Sequence, residues 1–314
     1  MGMWFSDFLH LHPRRFVLAL RMSRPGFLVI TAVGCLIGVA SAASAGGGVS
    51  GPRAWVTLVL ALLAHAAANM LNDHADALNG ADAANTQGLF PFTGGSRLVQ
   101  SGAMQASAMR TLAQVLLALV AAGGLWLALY SGPALVLVGL AGVLLGWTYS
   151  MPPLALMSRG LGELAVGLAW GLVVVGADYV QRGHFAPAPL AAAASYALLI
   201  ANILVANGFP DAVPDAQVGK RTLVVRLGPT RAAWLYLALA VGAHALLAAA
   251  VLVRVLPQSA LWALAALPLS IAAAVLLLRW SGNPERLRPA LVLGIAAAVV
   301  HGLALAVGLW WAGR

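Results

Sequence analysis

Nine runs of about twenty mostly apolar residues, cut only at charged or Pro/Gly-rich breaks, leave this chain little room for anything but membrane helices. They lie near 26–44, 54–72, 107–130, 132–150, 161–181, 187–208, 232–253, 259–279 and 290–311. A helix pairs its own backbone donors and acceptors, which hydrocarbon cannot do, so runs of this length read as helical crossings. The expected fold is all-α, a polytopic membrane protein with nine transmembrane helices. Charge content agrees, because 9% of residues are Asp, Glu, Lys or Arg, against about 25% in a soluble domain. Only Ser131-Gly132-Pro133 separates the third run from the fourth, enough for a tight hairpin and too little for a soluble domain. Residues 26–314 are thus expected to form one transmembrane domain. The cytoplasmic segment 1–25 precedes it, and Trp4, Phe5, Phe8, Leu9 and Phe16 within 3–16 give that segment the pattern of a short interfacial helix.

Basic residues orient the chain, since the cytoplasmic connections of a membrane protein carry the excess of Lys and Arg. With the N-terminus inside, the inner segments hold 14 of the 18: Arg14, Arg15, Arg21, Arg24, Arg97, Arg110, Arg159, Lys220, Arg221, Arg226, Arg231, Arg279, Arg286 and Arg288. The outer segments hold Arg53, Arg182, Arg254 and Arg314. This predicts a cytoplasmic N-terminus and an outside C-terminus, in the inner (plasma) membrane of the cell. Arg-rich residues 14–24, an apolar stretch and Ala40-Ser41-Ala42 imitate a cleaved secretory signal, but eight further spans favour an uncleaved first helix. The net charge of +9 points to membrane orientation and anionic ligands rather than nucleic acid. A lone cysteine, Cys35, excludes an intrachain disulfide and a thiolate metal cluster.

Carboxylates are the scarce resource of the sequence, nine in all, and five of them fall in two short clusters. The first runs from Asn69 through Asn72, Asp73 and Asp76 to Asp82; the second holds Asn207, Asp211 and Asp215, followed by Gly219-Lys220-Arg221. On a helix, residues three and four apart share a face, so each cluster converges its oxygens on one side. Both clusters fall at cytoplasmic ends of expected spans, the second and the sixth. A carboxylate at membrane depth is costly unless paired or bound to a cation, and marks a functional site by default. Two facing sets of hard oxygens suit Mg²⁺ bridging to a substrate phosphate, with Asn72, Asp73, Asp76, Asp211 and Asp215 as candidate ligands. Lys220, Arg221, Arg97 and Arg159 fall on the same side and could grip a diphosphate leaving group.

Asn72-Asp73-x-x-Asp76 and Asp211-x-x-x-Asp215 resemble the two aspartate-rich signatures of the UbiA superfamily of intramembrane prenyltransferases. So do Arg24-Pro25, Tyr149-Ser150-Met151-Pro152-Pro153 and Arg159-Gly160-Leu161-Gly162-Glu163. The resemblance covers about residues 20–230. It implies nine helices around a central cavity, with magnesium and an isoprenyl diphosphate near the cytoplasmic side and an aromatic acceptor beside them. As the diphosphate departs, an allylic carbocation develops at the prenyl carbon and the acceptor carbon attacks it. Asp73, Asp76, Asp211 and Asp215 are the expected catalytic residues.

Spacing separates branches of the superfamily. Gly80 stands where the 4-hydroxybenzoate branch usually has its third aspartate, and Asp82 comes six residues after Asp76. That form is similar to the 1,4-dihydroxy-2-naphthoate branch of menaquinone synthesis, as are Asn69, the run 219–228 and Gly176-x-x-Tyr179-Val180-Gln181-x-Gly183. The expected reaction is therefore transfer of a polyprenyl group to 1,4-dihydroxy-2-naphthoate, with 4-hydroxybenzoate or another acceptor as the alternative. Asn69, Asp82, Tyr149 and Asn207 are the candidate acceptor and substrate contacts. That branch commonly carries a basic residue before the first aspartate of the second motif, whereas this chain has Pro210, with Pro214 one turn later. Both prolines predict that the sixth helix ends or kinks at Phe209, leaving its carboxylates on a broken segment.

Other polar residues read as structural: His65, His244 and His301 as packing residues, Asp178 and Tyr179 as interfacial at the outer end, and Glu163 at a helix N-terminus. The loop Leu89–Arg97 is a candidate cover for the diphosphate. A transporter of lipid or a small molecule is the reading from another class; no inverted repeat relates the halves of the chain, although repeats are usual in transporter folds.

Overall fold

The computed structural model describes Leu18 and residues 21–86 and 88–314, so the interfacial helix expected over 3–16 lies outside the described residues. Every regular element described is helical. In order they are α1 (Pro25–Ser44), α2 (Gly51–Asn79), the short α3 (Ala81–Ala84), α4 (Ala106–Ser131), α5 (Ala134–Ser150), α6 (Gly162–Arg182), α7 (Pro187–Gln217), the short α8 (Leu223–Leu227), α9 (Pro229–Leu252), α10 (Leu267–Trp280) and α11 (Arg288–Ala312). A 3₁₀ stretch, Gln258–Ala266, leads directly into α10. Six of the helices start with proline in the first turn, where the missing N–H would have had no partner. By length and composition, eight helical segments among the described residues can cross a membrane, and α5 is a ninth, shorter apolar helix.

Packing is inside-out relative to a soluble protein. Large apolar side chains such as Leu129, Leu137, Leu164, Val241 and Val307 stand on the outer faces, where a bilayer rather than water accounts for them. Inside, α1, α6, α7, α9 and α11 share the largest core cluster, built around Tyr196, Ile37, Ile200, Leu247 and Leu305. Small residues let these helices approach closely, as expected where lipid supplies no hydrophobic drive between them. A Cβ on Gly38 would collide with the backbone carbonyl of Val174 on α6, and one on Gly302 with Val33 on α1.

The two ends of the bundle are tied differently. At one end, the Gln181 side-chain oxygen accepts from the Ser50 N–H at 2.8 Å. Nearby, the Arg53 guanidinium and the Ser131 hydroxyl both donate to the Val180 carbonyl at 3.1 Å. Arg182 pairs with Asp178 at 2.9 Å and donates to the Ser41 carbonyl. Asp178 and Tyr179 thus belong to a clasp remote from the two acid clusters, which meet at the opposite end.

Two spans run further than their hydropathy indicates. The second continues to Asn79 and the sixth to Gln217, so both acid clusters are carried on helix. The break expected at Phe209 does not occur. Pro210 and Pro214 deprive the Ala206 and Pro210 carbonyls of their usual donors, but the prolines are one turn apart and both buried. Packing of α3 and α8 against the end of α7 holds the segment helical.

The close α1–α6 contact gives a direct test. Gly38→Ala, whose new methyl must displace backbone, is expected to cost about 1–3 kcal/mol by overpacking and to lower the thermal unfolding midpoint in detergent. Gly171→Ala, with open space around its Cβ, is expected to leave that midpoint unchanged.

Candidate active site

A polar cavity of about 730 Å³ lies between the ends of α2 and α7, lined by Asn72, Asp76, Asp82, Asn207, Asp211 and Asp215 among others. Helical continuity produces it, because α2 presents Asn69, Asn72, Asp73 and Asp76 on neighbouring turns and α7 presents Asn207, Asp211 and Asp215 along one face. α2 then stops at Gly80, whose φ of +84° is the left-handed cap that favours glycine. The turn returns Asp82, on α3, toward the same cavity. Gly95 packs against it so tightly that a Cβ there would lie 2.6 Å from Asp82 Oδ2.

Each acid has a defined partner. Arg24, just before α1, binds Asp73 and donates to Asn72 Oδ1 at 3.3 Å, while the Ser96 N–H donates to Asp73 Oδ2 at 3.1 Å. Lys220 donates to both oxygens of Asp76 at 3.0 and 3.1 Å and lies 3.4 Å from Asp215. Asn72 and Asn79 also donate to Asp76, at 3.0 and 3.2 Å, and Asn85 donates to Asp211 at 2.5 Å. Burial works against the Lys220 ammonium, but Asp76 and Asp215 outweigh it and raise its pKa. Among the described residues Asp82 has no such cation in contact, and burial first, then the charges of Asp76 and Asp73, push its carboxyl up to about 7.

The site's donor chemistry fits a hard divalent cation. Among the described residues no three acid, imidazole or thiol side chains form a metal-binding cluster, so these residues offer no closed cage. Carboxylates facing one another across a cavity, with the buried and unpartnered Asn207 Oδ1 between the helices, instead suit Mg²⁺. That ion takes one or two protein carboxylates and fills its remaining positions with phosphate oxygens and water.

An apolar compartment of about 810 Å³ adjoins the polar one, and Arg24, Asn72, Phe92, Tyr149, Leu204 and Asn207 line both. Beyond that boundary the walls are Ile30, Leu145, Val166, Trp170, Ile200 and Ile203. Tyr149 therefore stands where polar space turns apolar. Asn69 lines the apolar side and is anchored to the Ser23 carbonyl at 3.0 Å. His65 is held by Thr31 at 2.8 Å and lies edge-on to Trp170, while His301 bonds Ser195 and stacks edge-on with His244.

Of the four basic residues expected to grip the diphosphate, only Lys220 lines the polar cavity. Arg97 is bound to the backbone carbonyls of Asp82 and Asn85 and lies over the Phe90 ring, so it shapes the loop instead. Arg159 is exposed and donates to the Pro153 carbonyl at 2.7 Å, and Arg221 is exposed beyond the cavity. The structure adds Arg24, Asn85, Thr93, Glu163 and Thr222 to the lining. In the sequence Arg24 stood as a basic residue preceding a span and, with Pro25, as part of the family resemblance, but not as a site residue. The loop expected to cover the diphosphate does border the site, through Phe92, Thr93, Gly94 and Gly95.

Sequence comparison finds the same architecture elsewhere. The chain is 34% identical over 265 residues to a 1,4-dihydroxy-2-naphthoate octaprenyltransferase of Mycobacterium leprae, covering 83% of this chain and 85% of that one. It is 35% identical over 226 residues to the Mycobacterium tuberculosis protein of the same name, covering 71% and 73%. Among solved structures, the apo UbiA homolog from Aeropyrum pernix superposes with a TM-score of 0.68 at 20% identity, covering 89% of this chain and 97% of that one. A UbiA homolog from Archaeoglobus fulgidus bound to DMAPP and Mg²⁺ gives 0.64 at 19%, covering 92% and 99%. Residues 28–294 match the UbiA prenyltransferase family; with its paired aspartate clusters at the ends of α2 and α7, the chain is an integral membrane protein that belongs to this family.

Proposed function

We propose that the protein transfers a polyprenyl group from an isoprenyl diphosphate to 1,4-dihydroxy-2-naphthoate in a magnesium-dependent reaction. The observation that carries this reading is the junction itself, a carboxylate-lined cavity opening directly onto an apolar one. A donor with a doubly charged head and a hydrocarbon tail needs such a pair of compartments. The names of the mycobacterial relatives and the placement of Asp82 after Gly80 support the naphthoate acceptor. The basic-residue count supports a cytoplasmic N-terminus, an outside C-terminus and a site facing the cytoplasm of the inner membrane.

Residue roles follow from position. Asp76, Asp211 and Asp215, with Asn72, Asp73 and Asn207, would hold Mg²⁺. An ion held by these residues would supply positive charge to the diphosphate oxygens as negative charge builds on them. Lys220 and Arg24 keep the site's carboxylates compensated and present positive charge to the departing diphosphate. Tyr149 and Phe92 border the boundary, where their rings can face the developing allylic cation. Asp82 and Asn69 flank opposite compartments and are assigned to substrate contact.

With Mg²⁺, a polyprenyl diphosphate and a mixed pool of acceptors, mass analysis is expected to find the prenyl adduct of the naphthoate in excess over that of 4-hydroxybenzoate. Uptake of donor without diphosphate release would instead identify a transporter. Asp73→Asn and Asp211→Asn are each expected to lower kcat/KM by about 10²-fold or more, the scale of a lost transition-state electrostatic contact. Activity retained by both variants would sink the mechanism.

A pH test follows from Asp82. Its value in the folded protein is about 7 against 3.8 for the ordinary group, so between those limits the folded state holds a proton that the unfolded chain has released. Its contribution makes stability fall as pH rises through that window. Thermal unfolding of the metal-free protein in detergent is expected to show a shallower decline from pH 4 to 7 in Asp82→Asn than in wild type.

A further inference from the structure

The turn from α10 to α11 gathers three guanidiniums, those of Arg279, Arg286 and Arg288, around aromatic rings. Arg279 and Arg286 both lie over the Trp280 ring, 5.2 and 4.3 Å from its centroid, and Arg288 lies 5.9 Å from that of Phe92. The indole is itself held, packed against the core cluster that includes Ala274, Leu277 and Leu287. Phe92 lines both reaction compartments, so the three cations stand at the same end of the bundle as the acids.

No acid answers this charge. Among the described residues, none of the three arginines forms a salt bridge or donates to a carbonyl, and Glu285, the acid of the turn, is exposed and unpaired. Elsewhere Arg24, Arg182 and Lys220 pair with aspartates, while Arg53, Arg97 and Arg159 donate to backbone carbonyls. A ring face attracts a guanidinium without neutralising it. Two like charges drawn to one indole repel each other, and an anion that accepts from both removes the repulsion.

The surroundings give that anion a hydrocarbon tail. Val275 precedes Arg279 by one turn and Val292 follows Arg288 by one turn, so each valine shares a helix face with its arginine. These valines are 54% and 46% exposed, on two helices that pack side by side. Each helix thus passes within a turn from an exposed cation to an exposed apolar side chain, with Trp280 at the level where indoles meet lipid head groups.

We propose that the α10–α11 turn binds the phosphate of an anionic phospholipid from the leaflet on the reaction-cavity side, with its acyl chains along Val275 and Val292. A zwitterionic lipid brings its own ammonium and leaves the arginines uncompensated. A free phosphate has nothing to lay on the valines. The site does not depend on the prenyl-transfer reading above.

The test is native mass spectrometry of the full-length protein in detergent, titrated with phosphatidylglycerol, phosphatidylcholine or inorganic phosphate. A basic side chain beside an anionic head group is worth roughly fivefold in affinity. Wild type is therefore expected to hold its first phosphatidylglycerol about tenfold or more tighter than phosphatidylcholine. Arg279→Gln and Arg286→Gln are each expected to weaken phosphatidylglycerol by about fivefold and to leave phosphatidylcholine unchanged. Arg286→Lys, which keeps the charge, and Arg110→Gln, which removes an exposed cation on α4, are expected to bind as wild type does. Equal affinity for the two lipids, a loss as large in Arg286→Lys or Arg110→Gln, or displacement of the lipid by inorganic phosphate would each overturn the proposal.

Discussion

Carboxylates at the depth of helix ends in a membrane must be matched by cations, and this matching organises one end of the bundle. Arg24 reaches from the start of α1 to Asp73 on α2, and Lys220 reaches from beyond α7 back to Asp76 on α2 while also facing Asp215. These two cations join elements distant in sequence, so the acids assemble the fold around themselves as well as lining the cavity. The remaining oxygens are taken by amides: Asn72 and Asn79 on Asp76, Asn85 on Asp211 and the Ser96 N–H on Asp73. Removing one cation from such a set would leave a buried carboxylate without compensation, a larger loss than the pair's net contribution.

The same constraint divides the interior. The charged side chains of the reaction cavity are gathered at one end of it, and beyond them the walls are mostly apolar, with Ile200, Ile203 and Trp170 beside the polar His65 and Asn69. Tyr149 and Phe92 stand at that boundary, with aromatic faces that accept either a cation or a hydrocarbon.

Much of this was legible in the sequence, for identifiable reasons. Long apolar runs leave few alternatives to helix, and nine acids in 314 residues make a clustering of five conspicuous. The position of Asp82 was legible as a spacing, though not its return through the left-handed Gly80. Helix ends were less legible, because hydropathy falls where Asn72 to Asn79 and Asp211 to Gln217 begin, yet hydrogen bonding continues through them. The roles of arginines were the least legible. Arg97, Arg159 and Arg24 are alike in a charge count, but backbone carbonyls of the loop claim Arg97, solvent surrounds Arg159, and only Arg24 is turned into the cavity. A left-handed backbone at Arg24, with φ of 50°, sets that direction, and sequence spacing carries no trace of it.

The prolines of α7 show why local propensity misleads at such a site. In water, Pro210 and Pro214 would end a helix, since each removes a donor and crowds the preceding turn. At this position the competing state, an unwound segment, would expose backbone groups at membrane depth, where each unpaired group costs several kcal/mol. Keeping the helix leaves only two carbonyls, those of Ala206 and Pro210, without their donors. The feature that argued most strongly against a clean helical face is therefore compatible with one.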